Sequence, residues 1–569
     1  MDQGRGRERP DLTEPASAPA RGSQRFPIPL GTPLVWHAVS LVAGAVFLMY
    51  VNRGQWFFGD EWDFLTDRTV TIGHDGVFDP HNEHWSTAPI LLYGLVFRLF
   101  GLSSYAPYVA LVVAAHLVAV HLAWRVMLRG GVGPWIAAAM CAAFIPFGPG
   151  AENLLWAFQI GFVGSVACGL GAILLADHDQ PFGRRDVSVW GLSILGLMFS
   201  GISIPLVGAA AVVAWMRRGL RAGLLTAAVP VAAYLLWLGA VGREGLAGTE
   251  PVTVDSLRVF PQFLWISVRE TLSLGTSTPL AGAVPLLLSG IALFLRRRRS
   301  QELPHAAIAL AVGEVLLLLM LAIGRAPLGL AAAEATRYVH IGGVLLLPLM
   351  VVGISDLVRP RAAAIVAVAA LTLSWSFHNG RLLIQEADVE ADRERLIREQ
   401  IVAAGTHLDS GPQLRTRPEP VFSPDLDLSE LVLLPSFPDD IVPSREAVAR
   451  LALALQVSLT MSPESPSTIP VSSFRATDAS LRPRADGCAL LTPIASDPRL
   501  LIPVGTPSSY EVTVTFPGDL EVALAEAADY RDRLAVEAGD TAAVNLAVDL
   551  LPEQTLIVRV PGRAVVCPV

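Results

Sequence analysis

VLLLLMLAIG at residues 315–324 and VLLLPLMVVGI at residues 344–354 decide the class of this chain. Neither run alternates, and neither keeps a polar stripe at helical spacing, so neither can rest one face on a water-soluble core. Of the 569 residues only 16% are charged and 52% are hydrophobic, with a mean hydropathy of +0.50, whereas soluble domains are about a quarter charged. Lipid is the solvent for much of this chain.

With those two runs marking the stretches at 306–323 and 338–357, apolar stretches also recur at residues 34–51, 108–128, 135–147, 155–175, 189–199, 204–215, 222–241, 279–295 and 362–377. Together they predict about 11 transmembrane helices. The run at 34–51 is long for a signal-peptide core and has no small-residue cleavage site after it, so it reads as an uncleaved span. Residues 1–33, rich in Arg, Pro, Gly and Ser without periodicity, read as a disordered cytoplasmic leader. The clusters Arg125/Arg129, Arg184/Arg185, Arg217/Arg218/Arg221, Arg296–Arg299 and Arg359/Arg361 should all be cytoplasmic. An inside N-terminus puts them there on two conditions. Residues 89–100 must lie on the membrane, and residues 189–215 must be two short helices broken at SGISIP. The loops 52–105, 242–278 and 325–337 are then outside, as is everything after the last span.

That tail, residues 379–569, has 28 acidic residues against 16 arginines. Such a balance excludes nucleic acid as a partner. It opens with a charged helical stretch and ends in the alternating runs EVTVTF, LEVALA, AVNLAVDL and TLIVRV, which predict a small β-sandwich. Cys488 and Cys567 fall in this tail and can form a disulfide if it is extracytoplasmic. Cys141 and Cys168 sit in apolar spans as small hydrophobes. The basic residues are all arginine, so no mechanism here uses lysine.

The chemistry concentrates in the first outside loop, WFFGDEWDFL at 56–65 and DPHNEHWSTAPILLY at 79–93. Asp60, Glu61 and Asp63 lie just past the first span, among Trp56, Phe57, Phe58, Trp62 and Phe64, which are expected to anchor the loop at headgroup depth. Carboxylates this close to lipid gain basicity from desolvation, which suits a general base. His81, Glu83 and His84 add polar groups for a substrate. Alternatively Asp60, His81 and His84 could hold a divalent metal, the one cofactor the loop has ligands for, although their spacing matches no specific metal signature. Arg325 and Arg337, at outer ends of spans, are candidates for a phosphate, with Glu334 as an alternative partner for Arg337. Glu152, Asn153 and Gln159 read as interhelical contacts.

A first span, an outside loop with an Asp-Glu pair, and a proline-led interfacial helix ending in Phe-Gly resemble the GT-C glycosyltransferases, above all the protein-mannosyltransferase and aminoarabinose-transferase type. The motifs cover about the first 130 residues, and the rest matches by architecture. The resemblance implies a GT-C-like helical membrane domain over residues 34–378 and an extracytoplasmic domain over 379–569. It also implies a loop carboxylate as catalytic base, which falls on Asp60 with Glu61 beside it. Many relatives start the interfacial helix with Lys-Pro-Pro. Here Ser86, Thr87, Ala88 and Pro89 stand instead, so that lysine's role is vacant. The C-terminal module is similar to those of actinobacterial arabinosyl- and mannosyltransferases, where it binds carbohydrate.

The expectation is a glycosyltransferase in the cytoplasmic membrane. It would move a sugar from a polyprenyl-phosphate donor to a glycan, lipid or protein acceptor outside, with inversion. Asp60 would be the base, and Asp63, His81, Glu83, His84, Arg325 and Arg337 would contact substrate. A transporter or flippase of lipid-linked sugars would use the same charges without bond cleavage; the third reading is a non-catalytic envelope protein. Among acidic residues only Glu314 lies deep in a span, whereas transport favours several.

Overall fold

A computed structural model describes residues 32–70, 76–247, 253–357, 362–406, 415–431, 434, 441–461, 473–503, 508–546 and 555–568. The predicted leader and Arg359/Arg361 fall outside the described residues, apart from the first two positions of the opening helix.

Helix α1 (Thr32–Val51) is followed by the acidic loop and then α2 (Thr87–Phe100), the expected proline-led apolar helix. The bundle continues with α3 (Ala106–Arg129), α4 (Pro134–Phe144), α5 (Ala151–Leu155) and α6 (Ile160–Ala176). Prolines in the first turns of α3 and α4 cost no hydrogen bond there. Next come α7 (Arg184–Phe199) and α8 (Ser203–Arg218), separated at Ser200–Ile202 as the SGISIP reading requires. Then follow α9 (Leu220–Trp237), α10 (Arg243–Ala247), α11 (Val254–Ser273), α12 (Leu280–Arg298), α13 (His305–Arg325) and α14 (Thr336–Leu357). Among the described residues seven helices are long and apolar enough to cross a membrane, or eight if the bent pair around residues 145–147 is one span. The 16-residue α7 and α8 are not among them. The chain is a multi-pass membrane protein.

The arginine clusters meet at one end of the bundle. Arg217 pairs with Asp177 (2.5 Å) and Glu302 (2.6 Å), Arg218 with Asp186 (2.7 Å), and Arg296 with Asp356 (2.5 Å). Loops expected on one side are thus held by neighbouring ion pairs. At Gly353 a side chain would collide with Ser289, whose hydroxyl donates to the Leu349 carbonyl (2.9 Å). A small residue there lets α12 and α14 approach closely.

The apolar run at residues 362–377 and the charged stretch after it are not separate elements. A single helix, α15 (Ala362–Thr406), runs through both for 45 residues, about 68 Å at 1.5 Å per residue. Behind it, α16 (Leu428–Leu431) and α17 (Arg445–Gln456) lead, among the described residues, into eleven strands. These are β1 (Val457–Thr460), β2 (Arg475–Thr477), β3 (Ala479–Pro483), β4 (Ala489–Pro493), β5 (Arg499–Pro503), β6 (Ser508–Val514), β7 (Gly518–Leu524), β8 (Asp532–Val536), β9 (Thr541–Leu546), β10 (Thr555–Arg559) and β11 (Ala564–Pro568). All pairings are antiparallel, in a six-stranded sheet β1-β9-β6-β11-β4-β3 and a five-stranded sheet β2-β5-β10-β7-β8. Leu491, Val512 and Val566 of one sheet share a core with Ile502, Val522 and Val558 of the other. This is the alternating inward pattern of a sandwich. The runs at 511–516, 520–525 and 555–560 fall on β6, β7 and β10, and the described part of the run at 543–550 falls on β9. Helix α17 joins the two bodies: Leu451 and Leu455 pack into the membrane-domain core, Ala449, Ala452 and Leu453 into the sandwich.

Cys488, just before β4, is disulfide-bonded to Cys567 in β11, and Cys141 and Cys168 are free. After denaturation without reductant, two thiols per chain should alkylate, rising to four with reductant. Cys488→Ser should lower the stability of the sandwich by about 4 kcal/mol through loop-closure entropy. Urea titration of the solubilised protein, followed by proteolysis of the tail, reads this loss.

Candidate active site

After α1 the chain is clamped by residues far along the sequence. The Asn52 amide donates to the carbonyls of Leu48 (2.9 Å) and Leu154 (3.0 Å), and Gln55 donates to Ala387 O (2.9 Å). The Trp56 N–H donates to Glu394 Oε2 (2.5 Å) and the Gly59 N–H to the Phe422 carbonyl (2.5 Å). The Trp62 indole donates to Ser423 Oγ (3.1 Å). Because α15 and the 415–431 segment cover it, the aromatic cluster is not a belt in the headgroups. Trp56, Phe57, Trp62 and Phe64 are buried within protein, against Tyr105 and Tyr108 among others. That overturns the expected anchoring role. Phe58 alone of the five is part-exposed, stacked on Trp156 with ring centres 4.8 Å apart.

Gly59 has φ +60°, a left-handed turn that glycine adopts without strain. Immediately after it, Asp60 and Glu61 part company. The Asp60 side chain is 38% exposed and lines a cavity of about 830 Å³. Glu61 does not line that cavity; it is 0% exposed. Its Oε1 accepts from the hydroxyls of Tyr93 (2.5 Å) and Tyr105 (3.0 Å), and its Oε2 from the Phe58 N–H (3.1 Å). Burial outweighs these bonds and pushes its carboxyl up to about 8. Glu61, expected beside Asp60 in catalysis, therefore ties α2 and the start of α3 to the loop.

Asp63 opens a π-helical stretch, Asp63–Val70, and also stays out of the cavity lining. It holds His81: Asp63 Oδ2 lies 2.5 Å from His81 Nδ1, while Asp60 Oδ2 is 3.4 Å from His81 Nε2. Arg68 completes the row, 3.2 Å from Asp63 and donating to the carbonyls of Asp79 (3.0 Å) and Pro80 (2.9 Å). Burial alone would lower the His81 pKa. Hydrogen bonds and charge from Asp60 and Asp63 overcome it and hold the imidazole at about 9. Burial likewise opposes ionisation of Asp63, but His81 and Arg68 keep its pKa below the usual range. Asp60 thus faces an imidazolium fixed from behind.

His81 and His84 are joined by paired backbone hydrogen bonds (3.1 and 3.0 Å) across a tight turn, which puts Glu83 and His84 on the same wall. Glu83 forms an ion pair with Arg325 and lies 3.5 Å from His84. Burial drives His84 down to about 4, against the opposing charge of Glu83, so it is neutral at pH 7. Arg325 and Arg337 both line the cavity. Arg337 is paired not with Glu334 but with Glu152 of α5; Glu334 lies 3.5 Å from Arg269 instead. The cause is geometric, since Glu334 ends a separate 3-10 turn (Leu330–Glu334) before α14 begins.

Six expected residues therefore share one cavity: Asp60, His81, Glu83, His84, Arg325 and Arg337. The expected metal set is not assembled. Among the described residues no three His, Cys, Asp or Glu side chains are grouped to hold an ion, and both nitrogens of His81 face carboxylates. Sequence reading missed the aromatic wall of Trp156, Phe158 and Phe162. It also missed Asp425, whose carboxyl is raised by burial and by the charges of Asp60 and Asp63. Nothing local to position 425 could have signalled that proximity. Glu314 is buried in mid-span in α13 and does not reach the cavity.

No protein-family model and no curated protein matches the chain. Among solved structures it is similar to ArnT, an aminoarabinose transferase, from Cupriavidus metallidurans in the apo state. They are 13% identical, with 75% of this chain and 92% of that chain covered, at a TM-score of 0.43. For ArnT bound to undecaprenyl phosphate the values are 14%, 70%, 74% and 0.38. For the Archaeoglobus fulgidus oligosaccharyltransferase tethered with an acceptor peptide they are 12%, 65%, 57% and 0.37. Identities and scores at this level leave function to be read from the site itself.

Proposed function

We propose that this chain is a membrane glycosyltransferase of GT-C type. It takes a sugar from a polyprenyl-phosphate donor and passes it to an envelope acceptor on the outer face of the cytoplasmic membrane. One observation carries the reading: a single large cavity at the loop end of the bundle is lined both by the half-exposed Asp60 and by Arg325 and Arg337. A carboxylate suits proton abstraction from an acceptor hydroxyl. Guanidinium groups suit a phosphate that gains charge as it leaves.

In this mechanism the acceptor oxygen attacks the anomeric carbon opposite the phosphate, and the anomeric configuration inverts. The new carbon–oxygen bond forms as the bond to phosphate breaks. Asp60 takes the hydroxyl proton, and polyprenyl phosphate departs with the bonding electrons. His81, held by Asp63 and Arg68, orients the Asp60 carboxylate. The arginines already have resident carboxylates, Glu83 and Glu152, so an incoming phosphate shares or displaces these rather than meeting bare charge. The aromatic wall of Trp156, Phe158 and Phe162 offers faces to a sugar ring.

Asp60→Asn should cut transfer from a polyprenyl-phosphate sugar at least about 100-fold while the protein inserts and folds normally. Near-normal activity would remove Asp60 as the base. Arg337→Gln should weaken binding of polyprenyl phosphate and slow turnover. Arg337→Lys should restore only part, because it returns charge without the planar fork. Glu334→Gln should be near neutral, since Glu334 pairs elsewhere. An effect as large as that of Arg337→Gln would contradict the pairing described here.

His81 supplies a pH signature. Its folded pKa is raised to about 9 from an ordinary value of about 6.5, so its contribution is complete below about 6.5 and is lost as pH climbs through about 9. Turnover should decline on that alkaline limb, and His81→Gln should remove the limb as well as lowering the plateau. A limb unchanged in His81→Gln would assign it to another group.

A further inference from the structure

Four buried groups inside the bundle form one directed hydrogen-bond chain that ends at Arg337. His116 Nε2 of α3 lies 3.1 Å from the Ile145 carbonyl, just past α4. A carbonyl only accepts, so that nitrogen carries the hydrogen and, in a neutral ring, Nδ1 is the acceptor. His340 Nε2 of α14 lies 3.1 Å from His116 Nδ1 and must be the donor. His340 Nδ1 is then an acceptor, and the Asn153 amide nitrogen of α5 sits 3.1 Å from it. The second hydrogen of that amide goes to the Arg337 carbonyl (2.8 Å). The chain therefore fixes both tautomers and uses both amide hydrogens. His116, Asn153 and His340 are all buried. Gly150 makes room for it, since a β-carbon there would lie 2.7 Å from the His340 ring.

We infer that Asn153, His340 and His116 are positioning residues that hold Arg337 against α5 so that its guanidinium faces the cavity and a donor phosphate. The chain joins α3, α4, α5 and the first turn of α14, and Glu152, the partner of the Arg337 side chain, is the neighbour of Asn153. Backbone and side chain of Arg337 are thus both tied to one short helix. Neither Asn153, His340 nor His116 lines the cavity, so they act through Arg337 and do not touch substrate. This inference rests on the reading of Arg337 as a phosphate ligand.

The test measures binding of sugar-free polyprenyl phosphate to the solubilised full chain, with thermal stability alongside. Asn153→Leu and His340→Phe should each weaken binding about tenfold, a typical scale for one lost network bond, and leave KM for the acceptor unchanged. His340→Gln can accept from Asn153 and donate to His116, so it should bind within about twofold of the parent. In an Arg337→Gln background, Asn153→Leu should cause no further loss, because residues acting through one group are not additive. Normal binding by folded Asn153→Leu, or additive loss in the double variant, overturns the relay. A folded His340→Gln as impaired as His340→Phe overturns it too, even if the harsher variants do not fold. Normal binding by Arg337→Gln alone refutes the phosphate-ligand reading instead, and with it this inference.

Discussion

The backbone of the acidic loop is completed by residues that come hundreds of positions later. The Trp56 N–H finds its acceptor 338 residues on, at Glu394, and Gly59 finds Phe422. A loop at a membrane surface cannot leave such donors unmet without a cost of about 1–3 kcal/mol each. Much of the site follows from that requirement. With the donors satisfied, the aromatic residues are covered, Gly59 can turn, and Asp60 is presented to the cavity while Glu61 is turned inward. The two carboxylates differ by one position and by everything else: one is a solvated acid facing a fixed cation, the other a buried acid pushed up to about 8.

What could be read in the sequence was whatever depends on local pattern. Apolar runs gave the helices, the SGISIP break came at Ser200–Ile202, and period-two runs became β6, β7, β9 and β10. Charged groups in a loop otherwise rich in aromatics marked Asp60, His81, Glu83 and His84, and those share one cavity with both arginines. What could not be read depends on where the tail returns. Glu61 looks like Asp60 until Tyr93 and Tyr105 are brought against it. Trp56 and Trp62 look like a lipid belt until α15 and residues 415–431 close over them. Arg337 has Glu334 at helical spacing, but the helix begins only at Thr336, and Glu152 from α5 takes the pair. Asp425 carries no local sign of its nearness to Asp60.

Charge is organised by distance from water. At the arginine-rich end, Arg217–Asp177 links α8 to the end of α6 and Arg218–Asp186 links α8 to α7 in ordinary fashion. At the loop end, carboxylates and cations alternate through Arg68, Asp63, His81 and Asp60, so each neutralises the next. Between the two ends, buried polar side chains such as His116, His340 and Asn153 serve as hydrogen-bond donors and acceptors, and Glu314 is a buried carboxyl among the described residues. That grading matches the cost of desolvating charge in a bilayer.

The unbroken α15 couples the acidic loop to the apolar run at residues 362–377. Its first part is the apolar run and its later part carries Glu394, which accepts from the Trp56 N–H. Any tilt of its apolar part swings a helix of about 68 Å, and no proline interrupts it to absorb the motion. A small change of angle at the membrane becomes a displacement of several ångströms at the rod's far end. The hydrogen bonds at Trp56 and Gln55 must then stretch, or the sandwich must move with the rod. The geometry around Asp60 is thus geared to the tilt of a helix that contributes no residue to the cavity Asp60 lines.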